Sequence, residues 1–141
     1  MANNYAQFSC LLPLTPEQTN YAKNLLTQME DDDTERNHRR TTQRRYVYFQ
    51  HNAESDGYWF HSDESGDPEQ LALFIHHLIE KFDLPPFGFD WAFTCSKPRI
   101  DEFGGGAVWI TKEGFEWLST SNWLYEKQMN LSAMATFHTT P

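Results

Sequence analysis

Every second residue is apolar over residues 5–14 of this chain, and the spacing then changes to that of a helix. The alternation predicts a half-buried strand. Residues 15–18 (TPEQ) supply an N-cap hydroxyl, a proline in the first helical turn and a glutamine three residues after the cap, which predicts a helix start. Apolar residues continue at intervals of three or four up to Met29, so we expect a helix that ends within the acidic residues 30–35.

The same order of elements recurs in the middle of the chain. Residues 45–53 and 57–65 are aromatic and β-branched runs joined through the turn-like sequence ESDG, which predicts an antiparallel hairpin. Residues 67–70 (DPEQ) repeat the helix start, and apolar residues follow at helical spacing until Pro85 and Pro86. FGFDWAFTC (87–95) then predicts a strand with its aromatic residues and Cys95 on one face and Asp90 on the other.

These elements predict an α+β fold. Their order is that of the ferredoxin-like βαββαβ arrangement, an antiparallel sheet with both helices on one face, and right-handed crossovers give the strand order 4-1-3-2. Residues 107–111 predict an additional strand beside the fourth, and residues 114–119 either extend the sheet or cross it. A short helix capped by Ser119 to Ser121 follows. We expect a single domain over residues 1–141, with a tail over residues 130–141.

Length and composition fit a protein that folds without a metal or disulfide. The chain has 141 residues, of which 39% are hydrophobic and 16% aromatic, so ring packing should dominate the core. No apolar run approaches the roughly 20 residues that a membrane-spanning helix needs. The N-terminal residues do not resemble a leader, and two cysteines make no disulfide framework. We therefore expect a cytoplasmic protein that needs no cofactor.

Charge is unevenly distributed. Twenty acids against eleven bases give a net charge of −9, which disfavours nucleic acid as a general partner. Five of the eleven bases lie in RNHRRTTQRR, so six remain against twenty acids, a net charge of −14 for the rest of the chain. We interpret residues 31–44 as a charged, solvated loop, with a basic arm for an acidic or phosphate partner as the alternative. The basic residues are Arg36, Arg39, Arg40, Arg44 and Arg45.

The segment CSKPRIDEFGGGA at residues 95–107 is the best candidate for a recognition surface. A connection of this length between two strands is longer than a turn requires, and long loops often carry function. The predicted interaction loop consists of Lys97, Arg99, Asp101, Glu102 and Phe103. Because GGGA matches neither the dinucleotide nor the P-loop pattern, we interpret Gly104, Gly105 and Gly106 as structural glycines at a bulge or strand entry.

Catalytic chemistry finds little support in the sequence. Cys95 falls on the helix-facing side of its predicted strand, which favours a buried thiol, although Lys97 and Arg99 leave a reactive thiol or an anion site as an alternative. His76 and Glu80 are one helical turn apart but supply only two of the ligands that a metal site needs. No nucleophile-elbow motif is present in the chain. We predict no catalytic residue and no metal ligand.

Two further observations bear on function. GYWF (57–60) resembles the aromatic motif of RNA-recognition modules, although Asp56 stands where those modules carry a basic residue. The CSKPR-x-D-x-FGGGA segment resembles one in small uncharacterised proteins of plasmids, integrative elements and phages of Gram-negative bacteria, which have no established activity. That resemblance implies a mobile genetic element and, by analogy with antirestriction and anti-CRISPR proteins, binding to a host protein.

Taken together, the sequence predicts a non-enzymatic acidic interaction protein that binds a host or partner protein. Inhibition of that partner, or imitation of nucleic-acid charge, would fit the acidic body. A single-stranded nucleic-acid-binding module that uses sheet aromatics and the arginine loop is the first alternative. An anion-binding or cysteine-based site at residues 95–106 is the second alternative.

Overall fold

A computed structural model describes residues 4–38, 47–95 and 103–138. Six strands and three helices follow one another along these residues. They are β1 (Asn4–Pro13), α1 (Pro16–His38), β2 (Gln50–Glu54), β3 (Gly57–Ser62), α2 (Pro68–Phe82), β4 (Phe87–Cys95), β5 (Gly104–Thr111), β6 (Gly114–Ser119) and α3 (Thr120–His138).

The strands form one open antiparallel sheet in the order β2-β3-β1-β4-β5-β6, which confirms the α+β class. Read from β4, the first four strands stand in the order 4-1-3-2, and β5 and β6 extend the sheet beyond β4. Residues 114–119 therefore belong to the sheet and do not cross it. The two edges of the sheet are β2 and β6.

One face of the sheet packs against α1 and α2 and forms the core. Ring contacts contribute much of it, because Phe49, Phe60 and Phe74 meet edge-on or tilted with centroids 5.6–6.2 Å apart. The buried apolar residues are Phe8, Leu12, Leu14, Ala22, Leu26, Phe49, Tyr58, Phe60, Leu71, Ala72, Phe74, Ile75, Leu78, Ile79, Phe89, Val108 and Ile110. Within the described residues, neither α1 nor α2 packs on the opposite face, which we call the open face of the sheet.

The two predicted helix starts are both present. In α1 the Gln18 N–H donates to Thr15 Oγ1 at 3.2 Å, and the Thr15 N–H donates to Gln18 Oε1 at 3.0 Å, a reciprocal capping box. In α2 the Asp67 carboxylate accepts the N–H groups of residues 69 and 70, while the Gln70 side chain accepts the Tyr48 N–H at 2.6 Å. Through Gln70, the start of α2 therefore also holds Tyr48, which lies just before β2.

Two helices are longer than the sequence predicts. The charged loop predicted over residues 31–44 is wrong for residues 31–38, which belong to α1, while residues 39–46 lie outside the described part. The short final helix is likewise wrong, and so is the tail over residues 130–138, since α3 continues to His138, while residues 139–141 lie outside the described part. Neither segment contains a glycine or proline beyond its first residue, so nothing in either interrupts the helical hydrogen bonds.

Candidate functional site: the open face of the sheet

The open face of the sheet carries large apolar side chains beside carboxylates. Across β4, β5 and β6 the register sets Gly88, Trp109 and Glu116 in one row. Asp90, Ala107 and Leu118 form the adjacent row. Trp109 is 50% exposed and Leu118 is 55% exposed, so this face presents two large apolar side chains to solvent beside the carboxylates.

These two rows border a shallow, open groove, which we call the acidic groove (Gly88, Asp90, Ala107, Trp109, Glu116 and Leu118). Its volume is about 560 Å³. The small residues of β4 and β5 make room for it: a Cβ on Gly88 would stand 2.8 Å from Cε3 of Trp109, so only glycine lets the indole lie there undisturbed. Since neither Lys nor Arg is among the described residues that line the groove, the exposed carboxylates of Asp90 and Glu116 set its charge.

The other half of the open face carries side chains joined by hydrogen bonds and ring stacking. Trp59 donates from Nε1 to Ser9 Oγ at 2.8 Å, and its ring stacks on His61 with centroids 3.8 Å apart. His61 Nε2 in turn lies 2.8 Å from Asn52 Oδ1. Within GYWF only Trp59 is exposed on this face, because Tyr58 and Phe60 are buried in the core. The motif therefore offers one stacking platform and not the row of rings that RNA-recognition modules use.

A second concavity lies at one end of the sheet. This sheet-end cleft has a volume of about 540 Å³ between the ends of β4 and β6 and the start of β5. One wall is the β3–α2 connection, which is tied to β1 by the hydrogen bond from the Ala6 N–H to the Glu64 carbonyl at 2.6 Å. Phe103, the last residue of the predicted interaction loop, lines the cleft and is 49% exposed. Lys97, Arg99, Asp101 and Glu102 lie outside the described residues.

Two of the three glycines lie where a backbone or a ring approaches closely, whereas a Cβ on Gly104 would meet only the hydroxyls of Thr120 and Ser121, at 3.2 and 3.4 Å. A Cβ on Gly105 would stand 2.5 Å from the Trp91 carbonyl oxygen, and one on Gly106 would stand 2.5 Å from the Trp91 ring. Thr120 Oγ1 accepts the Gly105 N–H at 3.0 Å and donates to the Gly105 carbonyl at 3.1 Å. The Thr120 hydroxyl thereby continues the β5–β6 ladder, and the Gly105 N–H is occupied and not available to a phosphate.

The structure describes the side chain of Cys10 but only the backbone of Cys95. Burial raises the pKa of the Cys10 thiol to about 12, and the negative charge of Asp90 adds to the effect. Such a thiol is a poor nucleophile at neutral pH. The backbone of Cys95 ends β4 opposite Asn4. Its side chain, which the sequence placed toward the helices, lies outside the described part.

The histidines whose side chains the structure describes form pairwise contacts. His76 lies 3.0 Å from Glu80 and also contacts the Lys112 carbonyl at 3.1 Å. His51 links Tyr58, at 2.7 Å, to Glu30 of α1, at 3.3 Å. Among residues 4–38, 47–95 and 103–138, no group of three or more His, Cys, Asp or Glu side chains is arranged to hold a metal ion.

Most of the predicted basic arm lies outside the described residues. The backbone of Arg36 is part of α1, whereas the structure does not describe Arg39, Arg40, Arg44 and Arg45. The sequence did not single out the acidic groove. Alternation in AVWIT and GFEWLS would have assigned Trp109 and Leu118 to the face opposite the core, but their neighbours depend on the strand register.

Comparisons of this chain with protein families, with curated proteins and with solved structures found no match. None of the helices in the described segments is both long enough and apolar enough to cross a membrane.

Proposed function

We propose that this protein is a non-enzymatic acidic interaction protein whose open sheet face binds a basic surface of a partner protein. The acidic groove is the observation that supports this proposal. It combines an exposed indole and an exposed leucine with two carboxylates and no described neutralising cation. Tryptophan is enriched among residues that contribute most to protein interfaces, and an exposed apolar patch of this kind often marks a binding surface.

The chemistry of the groove favours an arginine or lysine side chain as the group it receives. The aliphatic stem of such a side chain packs on Trp109 and Leu118, and its cationic head is attracted to the indole face. Asp90 and Glu116 stand at opposite ends of the groove, so a cation within it meets a carboxylate at either end. The net charge of −9 adds a long-range attraction that speeds the encounter with a basic partner.

The wider context is also proposed. We assign the first four strands and two helices to a ferredoxin-like unit to which β5, β6 and α3 are additions. The resemblance of residues 95–107 to proteins of mobile elements suggests a cytoplasmic host protein as the partner, whose activity would be blocked at a basic or nucleic-acid-binding surface.

Single-stranded nucleic acid remains the first alternative, and Trp59 stacked on His61 is the observation that favours it. The acidic groove on the same face argues against it, because phosphates would be repelled there. The second alternative, an anion or cysteine site at residues 95–106, would use the sheet-end cleft, which Phe103, Gly104 and Gly105 line. The cleft supplies hydroxyl and aromatic groups, and its described lining includes the acid Glu64 but no cation.

A titration with hexa-arginine distinguishes these possibilities. We expect calorimetry at low salt to detect binding that Asp90→Asn with Glu116→Gln weakens roughly tenfold, as for the loss of about 1.4 kcal/mol. Glu54→Gln with Asp56→Asn is the matched control, since it removes the same charge from the exposed β2–β3 turn. Equal weakening in both variants would mean that only net charge attracts the peptide. Tighter binding of oligothymidine than of hexa-arginine would favour the nucleic-acid alternative.

A further inference from the structure

The final helix is exposed on all sides within its described part. Every residue from Thr120 to Leu131 is exposed, and five of them are large and apolar. They are Trp123, Leu124, Tyr125, Met129 and Leu131. A helix with apolar residues around its whole circumference is normally buried, whereas a solvated surface helix carries charges on its outer side. The described part of α3 carries only Glu126 and Lys127.

Two of these residues lie on one side of the helix, which we call the stripe. Leu124 and Leu131 are seven residues apart, two turns along that side, with Lys127 and Gln128 between them and Trp123 at its border. The Lys127 ammonium lies 5.5 Å from the centre of the Trp123 ring. At the base of the stripe a cavity of about 350 Å³ is lined by Leu118, Thr120, Trp123 and Leu124, so the apolar surface continues onto β6.

We propose that α3 is a self-association helix and that its stripe is covered by a second copy of this chain. Charge is the first argument. Two bodies of charge −9 repel each other, so self-association requires a surface from which the acids are absent. The sequence of α3 carries one acid and one base and is therefore neutral. A basic partner, which the acidic groove attracts, gains nothing electrostatically from this helix.

Self-complementarity is the second argument. When two copies of α3 pack antiparallel about a two-fold axis between residues 127 and 128, Leu124 of each copy opposes Leu131 of the other. One leucine contact is thus made twice. The same arrangement brings the C-terminal part of the second helix over Thr120 and the cavity beside Leu118. The helix is about 28 Å long, given its 19 residues and a rise of about 1.5 Å per residue.

The start of the helix is anchored for such a role. Thr120 is bound to both backbone groups of Gly105, so α3 leaves the sheet in a fixed direction. Because the contact uses one helix from each copy, it is smaller than the roughly 800 Å² per partner of a standard interface. We therefore expect a dimer with a dissociation constant of roughly 1–100 µM.

Sedimentation velocity over a concentration series tests this proposal. The mass should rise from 16.6 kDa toward twice that value as protein concentration increases. Higher salt should strengthen the dimer by screening the repulsion between the copies, whereas the same salt weakens hexa-arginine binding. A wild-type mass of 16.6 kDa at roughly 200 µM protein and about 0.5 M salt would overturn the proposal without affecting the acidic groove.

Two double variants locate the contact. Leu124→Glu with Leu131→Glu should abolish the dimer, and Tyr125→Glu with Met129→Glu, which adds the same charge on the other side of the helix, should retain it. Leu124→Ala with Leu131→Ala preserves helix propensity and should also abolish the dimer. Circular dichroism checks that the helix persists in each variant. Dimerisation that survives the leucine substitutions, or is lost in the Tyr125/Met129 variant, would contradict the assignment of the stripe.

Discussion

The surroundings of Cys10 make its thiol less reactive in the folded protein than in the unfolded chain. Burial, with a smaller contribution from Asp90, raises the pKa of its thiol from 9.0 to about 12. Only the thiolate attacks a disulfide reagent. At pH 8, a thiol of pKa 9.0 is about 10% ionised, and one of pKa 12 is about 0.01% ionised, so the thiolate fraction falls about a thousandfold in the folded protein.

The assay is reaction with a chromogenic disulfide at pH 8 in the Cys95→Ser variant, in which Cys10 is the remaining thiol. Since a thiolate of higher pKa is intrinsically more nucleophilic, part of this loss is offset, and we expect native labelling to be slower than labelling of the unfolded protein by roughly thirtyfold or more. Native labelling within tenfold of the unfolded rate would refute this account of Cys10. The Cys10→Ser variant reports on Cys95 alone: rapid labelling would support a reactive thiol at residues 95–106, and slow labelling would support a buried one.

Two further predictions concern stability. Gly106→Ala should lower the free energy of unfolding by about 1–3 kcal/mol, because its Cβ would stand 2.5 Å from the Trp91 ring and 2.6 Å from the Leu118 carbonyl; urea unfolding with an unchanged midpoint would contradict the close packing. In the folded protein the pKa of Cys10 is raised from 9.0 to about 12, and the pKa of Tyr58 from 10.0 to about 12. Between pH 9 and 12 the folded protein therefore retains protons that the unfolded chain loses. The free energy of unfolding should fall as pH rises through this range. Urea unfolding at about pH 8 and about pH 10.5 should show a loss of up to roughly 2 kcal/mol from Cys10, and Cys10→Ser should remove most of it; an equal loss in that variant would assign the effect elsewhere.

Local sequence signals predicted much of the architecture. TPEQ and DPEQ marked the two helix starts because their hydrogen bonds join residues three apart, and the structure contains both caps. Alternation likewise placed Asp90 on the face opposite the aromatic side chains of β4, where it is exposed. Such signals depend on neighbours in sequence, so they need no knowledge of the tertiary structure.

Helix ends were predicted less well. The acidic residues after Met29 suggested an end of α1 through unfavourable interaction with the helix dipole, an effect worth under about 1 kcal/mol for an exposed group. Without a glycine or proline, that cost does not stop the helix before His38. The same reasoning applies to α3, whose apolar residues follow no single stripe and therefore gave no clear pattern to extend.

The acidic groove depends on contacts between residues distant in sequence. Trp109 lies beside Gly88 and opposite Glu116 because of two strand registers, one of which is set by the tight turn between β5 and β6. A shift of either strand by one residue would send Trp109 or Glu116 to the other face. Composition and alternation identify the exposed side chains, but only the paired strands bring the indole and the carboxylates together.

The most direct test of the proposed function is an NMR titration of the isotope-labelled protein with hexa-arginine at low salt. Binding to the acidic groove should shift the backbone signals of residues 88–90, 107–109 and 116–118 and the indole N–H of Trp109. Those shifts should require roughly tenfold more peptide in the Asp90→Asn, Glu116→Gln variant and should keep nearly the wild-type midpoint in the Glu54→Gln, Asp56→Asn control. Shifts spread evenly over the acidic surface, or confined to the sheet-end cleft, would contradict the groove as the binding site.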